Sequence, residues 1–264
     1  MTAGTALDWS AARWYRPTML GLAVAMVMLL AFELATVLPR AQPASYGVDF
    51  HQYLGHADRW LAGGSLYLDR QLHGPYAVTG GDSLYPPPIL YLLVPFVVGV
   101  PQLAWWIVPL AVIGFVVVRH RPEPWAWPVM LLLLATPRSL EIVLYGNPVM
   151  WVAAALALAT LGGGWAVAVL LKPTLAPLAL WGAHRRSWWL VLAVAVVASA
   201  PFGMVWVEWI RVVADSDGSL LYSLPDLLFV AVPLVAWVSR AGAPGARWSA
   251  RSRRRTAPGR AASR

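Results

Sequence analysis

The chain has 264 residues, of which 59% are hydrophobic and only 12% are charged, and its mean hydropathy is +0.61. Soluble domains carry about 25% charged residues, so this composition excludes an ordinary soluble domain and predicts a helical membrane protein. The absence of cysteine excludes disulfides, thiolate catalysis and cysteine-ligated zinc or iron–sulfur sites.

The net charge of +8 is concentrated at the C-terminus, where eight arginines lie within residues 240–264. Such a segment is typical of a disordered cytoplasmic tail that is attracted to anionic lipid. No basic and aromatic fold module accompanies it, so we expect no nucleic-acid partner. The predicted division is an integral membrane domain over residues 1–239 and a basic, disordered cytoplasmic tail over residues 240–264.

The first apolar run, MLGLAVAMVMLLAFELATVL at 19–38, has the length of about 20 residues that a bilayer crossing needs. Asp8 interrupts the stretch before it, and the run is too long for a signal peptide, so we expect it to remain as the first membrane helix. Arg13 and Arg16 precede the run and place the N-terminus inside by the positive-inside rule. Residues 39–86 then form a long external loop.

Further apolar runs predict an all-α, polytopic fold with about seven to nine membrane segments in the cell membrane. The arginine pairs 119/121 and 185/186 are expected on the cytoplasmic side. This requires the proline-broken stretch 87–118 to cross an odd number of times, although its length favours two short crossings. The runs after the first lie at about 87–100, 102–118, 124–137, 148–161, 163–183, 187–203 and 224–239.

The external loop contains a predicted short helix over residues 49–62, which Gly63 and Gly64 end. Its apolar residues share one face, so the helix is expected to lie in the membrane interface. Asp49 begins it, and aspartate is among the best N-caps, worth about 1 kcal/mol. The residues alone favour this capping role for Asp49 over catalysis.

The histidines of this loop, His51 and His56, are predicted to be surface residues rather than metal ligands. No tight ligand spacing such as HExxH accompanies them, so we expect no obligatory metal.

Lys172 is the single lysine of the chain, and it lies inside the apolar run 163–183. Pro173 and Pro177 interrupt that run, and interior proline breaks a helix. If both ends face the cytoplasm, the chain rises, breaks at 172–174 and returns, which membranes tolerate only where the backbone is buried in protein or lines a cavity. A lysine at this depth either pairs with a ligand or side chain or extends its stem to the interface. Both roles remain open.

Five short motifs follow one another in order over about residues 18–190. That order is similar to the GT-C glycosyltransferases, and the branch it resembles most is the polyprenyl-phosphate-sugar-dependent glycosyltransferase family 87, which includes α-mannosyltransferases of bacterial envelope lipoglycans. The motifs are a first membrane helix, VDFHQYLGHADRWLAGGSLY, LYPPPILYLLVPF, YGNPVMWVAAALALA, and LLKPTLAPLALW followed by basic residues.

The resemblance implies a role for each matching position. Asp49, in the Asp-Phe pair after the first helix, would be the catalytic base, and His51 would line the substrate cavity beside it. Lys172, in the Lys-Pro-Thr element, would approach the donor phosphate. The remaining matches, also assigned to the substrate cavity, are Tyr85 of the Tyr-Pro-Pro entry, Gly146 and Asn147 of the Gly-Asn pair, and Thr174.

The implied activity is transfer of a sugar, with mannose the expected one, from a polyprenyl phosphate donor to an envelope glycolipid or glycan acceptor. The transfer would take place on the external side with inversion and without a cofactor. Family members usually continue for several more membrane helices and carry a polar Asn-Gln-Ser element in their later part, and this sequence departs from both features.

Two other interpretations remain. A shortened, non-catalytic relative would act as a membrane partner. A lipid-linked sugar transporter would also use broken helices and charges within the membrane, although the inverted repeat typical of transporters is not visible in this sequence.

Overall fold

Every regular element within residues 13–40, 46–217 and 224–240, which this computed structural model describes, is a helix. The predicted all-α fold is confirmed for that part of the chain, whereas the predicted tail at 240–264 lies outside it except for Arg240. The α-helices are α1 (Tyr15–Arg40), α2 (Val48–Leu61), α3 (Asp69–Leu72), α4 (Leu90–Val97), α5 (Ala104–His120), α6 (Ala126–Leu134), α7 (Pro137–Tyr145), α8 (Val149–Leu161), α9 (Ala176–Ala179), α10 (Arg186–Ser199), α11 (Gly203–Ala214) and α12 (Leu227–Val238).

Among the described residues, two helices are long and apolar enough to cross a membrane, Tyr15–Thr36 and the continuous stretch Arg186–Ala214. The pair α6 and α7, bent by 62°, makes a third if it is one broken span. Shorter apolar helices lie at Pro87–Val97, Ala104–His120, Val149–Leu161 and Leu224–Val238. The apolar run predicted to end at residue 203 therefore continues as helix to Ala214, because α11 follows α10 after a short 3-10 turn.

Helix α8 lies at the centre of the fold and packs against α5, α12 and the segment that follows it. Its sequence, VMWVAAALALATL, is apolar on every face, which is typical of a fully buried helix. The alanines bring neighbouring backbones close, and most of the helix is buried. By contrast, α1 contacts mainly α6 and exposes apolar residues along its length, as a lipid-facing helix does.

At one end of the bundle, the C-termini of α5, α8 and α12 lie close together. His120 Nε2 of α5 lies 2.7 Å from Thr160 Oγ1 of α8, and the amide of Glu123 donates to the carbonyl of Ser239 after α12 at 3.0 Å. The exposed Arg119 and Arg121 flank these contacts. This end therefore carries the basic residues that the positive-inside rule assigns to the cytoplasm.

At the opposite end, the loop that follows α1 packs against the N-termini of α5 and α8. Trp105 Nε1 donates to the carbonyl of Gly146 at 2.8 Å, and the Phe50 ring lies 5.7 Å from that of Phe96. Phe96, near the end of α4, also contacts Trp105 at the start of α5. Helix α4 thus begins and ends at this side of the molecule, and within 87–118 α5 alone runs from one end to the other.

The loop helix was predicted over 49–62, and α2 (Val48–Leu61) confirms it, with Gly63 at φ 87° just beyond its end. The expectation that His56 lies on the surface is wrong. Its ring is 5% exposed, and its nitrogens lie 2.7 Å from the Leu66 carbonyl and 3.0 Å from the Gly81 carbonyl. Burial lowers the pKa of His56. Through these two contacts, His56 holds the loop segments at Leu66 and Gly81 against α2.

Candidate functional site

The segment that carries Lys172 is a hairpin without continuous α-helix. A 3-10 stretch, Gly163–Leu171, ends at Lys172 in extended backbone with φ −120° and ψ 96°, and Pro173 begins the return. The two ends touch, because a Cβ atom at Gly182 would lie 2.2 Å from the carbonyl oxygen of Gly163. The predicted break at 172–174 is therefore confirmed, and Lys172 lies at the middle of a chain that doubles back.

The ammonium of Lys172 is buried in protein. Its Nζ lies 2.7 Å from Oδ2 of Asp226, the residue before α12, and the two side chains are 5% and 0% exposed. It also lies 5.6 Å from the centre of the Tyr85 ring, within cation–π range. A lysine that extended its stem to the interface would have a hydrated ammonium, so this geometry supports the pairing role instead.

A second cation, Arg138, also forms an ion pair with the carboxylate of Asp226. Its Nε is 2.7 Å from Oδ1 of Asp226, and its Nη1 is 3.2 Å from Oε2 of Glu141, one turn further along α7. The start of α7 fixes the position of Arg138, because the Thr136 side chain caps the helix and Pro137 occupies its first position.

Asp49 lies in the first turn of α2 but does not cap it. Gly47 occupies the cap position in a left-handed conformation, with no side-chain cap bond, and its amide donates to the Leu144 carbonyl at 2.9 Å. The Asp49 carboxylate instead accepts a hydrogen bond from Asn147 Nδ2, which lies 2.6 Å from Oδ2. The capping role that the residues alone favoured is therefore wrong.

Asn147 is held in one orientation. Its Oδ1 accepts from the Val149 amide at 3.0 Å and from the Tyr85 hydroxyl at 3.4 Å. Its NH2 group must therefore face Asp49. Gly146 permits this approach, since it ends α7 at φ 69° and a Cβ there would lie 2.9 Å from the Cβ of Phe50.

The electrostatics of Asp49 suit proton exchange. Burial raises the pKa of its carboxyl above the ordinary 3.8, while the Asn147 hydrogen bond and the charges of Arg138 and Lys172 act in the opposite direction. A carboxylate with a raised pKa accepts a proton more readily than a surface aspartate.

A connected set of side chains thus runs through the interior from Asp49 to Lys172, by way of Asn147 and Tyr85. These are four of the predicted site residues, brought together from four separate parts of the sequence. Asp226 extends the set beyond Lys172.

The other predicted residues have different places. Gly146 ends α7 in a left-handed conformation and has no side chain to offer. Thr174 lies two residues beyond Lys172 in the following 3-10 turn. His51 is exposed, and its Nδ1 lies 2.8 Å from the Gly47 carbonyl at the start of its own helix.

An apolar groove of about 720 Å³ lies beside this set. The hairpin, α10 and the Pro86 turn form its walls, with Leu171, Ala195 and Trp206 among the lining residues. Leu171 and Pro86 line the groove and are the chain neighbours of Lys172 and Tyr85, whereas the four polar side chains are not among its lining residues. Its size lies within the range of about 300–1,000 Å³ of small-molecule sites.

Sequence reasoning missed two charged residues of the site, Arg138 and Asp226. A signal existed, because a lysine within a membrane segment often pairs with an acidic side chain, and Asp226 directly precedes the last apolar run. The sequence holds nothing that selects Asp226 over the other carboxylates. In the part of the chain that the structure describes, no group of three or more metal-ligating side chains is present.

Comparison of the chain with protein-family models, with curated proteins and with solved structures finds no match.

Proposed function

We propose that this protein is a membrane glycosyltransferase that moves a sugar, mannose in the first instance, from a polyprenyl phosphate donor to an envelope glycolipid or glycan. The observation that carries the proposal is the connected set from the Asp49 carboxylate to the Lys172 ammonium, together with an apolar groove lined by the chain neighbours of Lys172 and Tyr85. This arrangement supplies a base, a cation and a lipid-binding surface side by side. The resemblance to glycosyltransferase family 87 and its GT-C fold is part of the same proposal.

The groove suits the donor's polyprenyl chain, which is apolar and branched. The Lys172 ammonium, on the residue that follows the groove-lining Leu171 in the chain, suits the phosphate that joins that chain to the sugar. A fixed cation near the leaving oxygen stabilises the charge that develops on the phosphate in the transition state, and its effect is large in a dry site.

The proposed reaction is a single displacement. The acceptor hydroxyl gives its proton to Asp49, and we assign Oδ1 to that step because Asn147 already bonds to Oδ2. The acceptor oxygen forms a bond to the anomeric carbon as the bond from that carbon to the phosphate oxygen breaks. Polyprenyl phosphate leaves with the electron pair, and the configuration at the anomeric carbon inverts.

We further propose seven membrane segments in this chain. Six would cross, namely α1, α5, the bent pair α6–α7, α8, the stretch Arg186–Ala214 and α12, and the hairpin at 163–182 would enter and leave on the cytoplasmic side. Support comes from the contacts at the two ends of the bundle, since the arginine-rich end joins α5, α8 and α12 while Asp49 lies at the other. The site would then face the external side, as the positive-inside rule requires.

The test is transfer of radiolabelled mannose by the purified protein in lipid vesicles. The donor is mannosyl decaprenyl phosphate, and the acceptor is an envelope glycolipid extract. We expect labelled glycolipid from the lipid-linked donor and none from a sugar nucleotide. Absence of transfer from several polyprenyl phosphate sugars, with folded protein, would exclude the activity.

A second function, transport of a lipid-linked sugar, is favoured by the buried Lys172–Asp226 pair in a broken segment, because such charges also occur in transporters. The same vesicles separate the two functions. A transporter moves the labelled donor between leaflets without forming a new glycolipid.

A further inference from the structure

A second apolar groove, of about 220 Å³, lies between α5, α6 and α12. Its walls include Gly114 and Val117 of α5, Trp127 of α6 and Phe229 of α12, and no charged side chain lines it. Trp127 is 40% exposed, and a Cβ atom added at Gly114 would meet nothing within 4 Å. The groove therefore reaches the surface of the bundle and leaves room for apolar atoms beside α5.

This groove ends close to the arginine-rich end of the bundle. Val117 lines it, and Arg121 follows four residues later, about 6 Å further along the helix axis. Trp127 lines it from the second residue of α6, directly after the segment that joins α5 to α6. Arg119 and Arg121 are exposed and lie outside the groove lining. An apolar groove thus leads toward exposed cations beyond its end.

The arginines of this end are not balanced by carboxylates. Four segments meet here through side-chain and backbone contacts, namely 119–125, 160–163, 181–187 and 237–240. They contain five arginines, at positions 119, 121, 185, 186 and 240, and Glu123 is the single carboxylate among their residues. This end therefore keeps a net positive charge after its own carboxylate is counted.

Two of these arginines have positions suited to a membrane surface. The guanidinium of Arg240 lies 4.3 Å from the centre of the Trp237 ring, which packs edge-on against Trp181 at 4.4 Å. Tryptophan is enriched at membrane interfaces, so this stack suits Arg240 to the level of lipid headgroups. Arg121 ends α5 at φ 50°, a left-handed conformation that glycine adopts without strain. An arginine at this position indicates a use for its side chain, because the backbone favours glycine.

We propose that the groove between α5, α6 and α12 binds an acyl chain of an anionic phospholipid, and that the arginines beyond its end bind the headgroup of the same lipid. Its volume is below the range of about 300–1,000 Å³ that encloses a whole small molecule, so it fits part of one chain. Charge assigns the occupant, because arginines at a membrane surface attract anionic lipids. The inference uses the proposed membrane arrangement and is independent of sugar transfer, and the groove beside α10 is a separate place.

The experiment measures binding of phosphatidylglycerol and of phosphatidylcholine with identical acyl chains to the full-length protein in detergent, by native mass spectrometry. We expect phosphatidylglycerol to bind more tightly. Arg121→Gly relieves the backbone strain and removes the guanidinium, so it should lower the ratio of the two affinities by roughly fivefold without loss of thermal stability. Arg211→Gln, at an exposed arginine of α11, is the matched control and should keep the wild-type ratio.

A second pair of variants tests the groove itself. Gly114→Leu places a side chain in the groove, so it should weaken binding of both lipids alike, by roughly tenfold, and leave their ratio unchanged. Gly21→Leu is the matched control, because Gly21 is exposed on α1 and also has nothing within 4 Å of an added Cβ. We expect no change in either affinity from this control.

The outcomes decide the two parts of the site separately. Equal affinities for the two lipids in the wild-type protein, or a ratio in Arg121→Gly that matches that of Arg211→Gln, would overturn the headgroup site. Unchanged affinities in Gly114→Leu would overturn the acyl-chain site. Loss of a dimer in that variant, with lipid binding kept, would instead assign the groove to a second copy of the chain. None of these measurements uses sugar transfer, so their failure is distinguishable from failure of the proposed activity.

Discussion

Asn147 Nδ2 lies 2.6 Å from Asp49 Oδ2, although the two residues are 98 positions apart in the chain. The amide can take only one orientation, because its oxygen accepts from the Val149 amide. Asn147 therefore fixes one oxygen of the Asp49 carboxylate, and the proposed mechanism assigns the other oxygen to the acceptor hydroxyl. This relationship links the first loop helix to the start of the central helix α8.

The pH dependence of transfer follows from Asp49. As the proposed base, Asp49 acts when ionised, so we expect the rate to fall as pH drops through its pKa, which burial raises above the ordinary value of 3.8. Asn147→Ala removes a hydrogen bond that lowers this pKa, so the acidic limb of the pH–rate profile should move to higher pH. Gln52→Ala, on the same helix as Asp49, serves as the control. A limb unchanged in Asn147→Ala would contradict the positioning role.

Alanine substitutions at Gly146 and Gly114 are expected to change the stability of the protein in opposite directions. Gly146→Ala places a Cβ at positive φ, 2.8 Å from the Trp106 ring, so it should destabilise the protein by about 1–3 kcal/mol. Gly114→Ala lies within α5 with nothing within 4 Å and should stabilise by about 0.5–1 kcal/mol. Thermal unfolding in detergent measures both. Equal melting temperatures would show that the approach of α2 to α7 is not as close as described.

The membrane arrangement can be tested with single cysteines, because the chain contains none. Ala77→Cys in the loop proposed to be external and His184→Cys after the hairpin are both at exposed positions. An impermeant thiol reagent added to intact cells should label the first and not the second. The reverse pattern would invert the proposed orientation, and labelling of both would exclude a hairpin that returns to the cytoplasmic side.

The groove predicts a specific effect on the donor. Ala195→Phe adds a ring to the groove lining, so it should raise the KM for the lipid-linked donor by roughly tenfold while kcat changes little. Val194→Phe, the exposed neighbour that does not line the groove, is the matched control. An equal KM in the two variants would mean that the polyprenyl chain binds elsewhere.

Part of this site could be predicted from the sequence. The break at Lys172 follows from Pro173 inside an apolar run, and the end of α2 follows from the helix stop at Gly63. Both are local properties. The partnership of Arg138 with Asp226 joins residues 88 positions apart, and no local pattern specifies such a contact.

The path of the chain through 87–118 likewise could not be predicted from local sequence patterns. Hydropathy gives two apolar stretches there, but it cannot tell a helix that crosses from one that stays at one end of the bundle. Packing of Phe96 against Phe50 and Trp105 keeps α4 at the end where it began. With 8 residues, α4 is about 12 Å long and too short to cross.

The most direct measurement of the central claim compares Asp49→Asn with Asp58→Asn in the mannose transfer assay. Both aspartates lie on α2, but Asp58 is exposed and faces solvent, whereas Asp49 bonds to Asn147. The Asn side chain keeps the shape of Asp49 and cannot accept a proton at neutral pH. We expect transfer by Asp49→Asn to fall by about 10²–10⁴-fold with unchanged melting temperature, and Asp58→Asn to remain near wild type. Full activity in a folded Asp49→Asn protein would contradict the account.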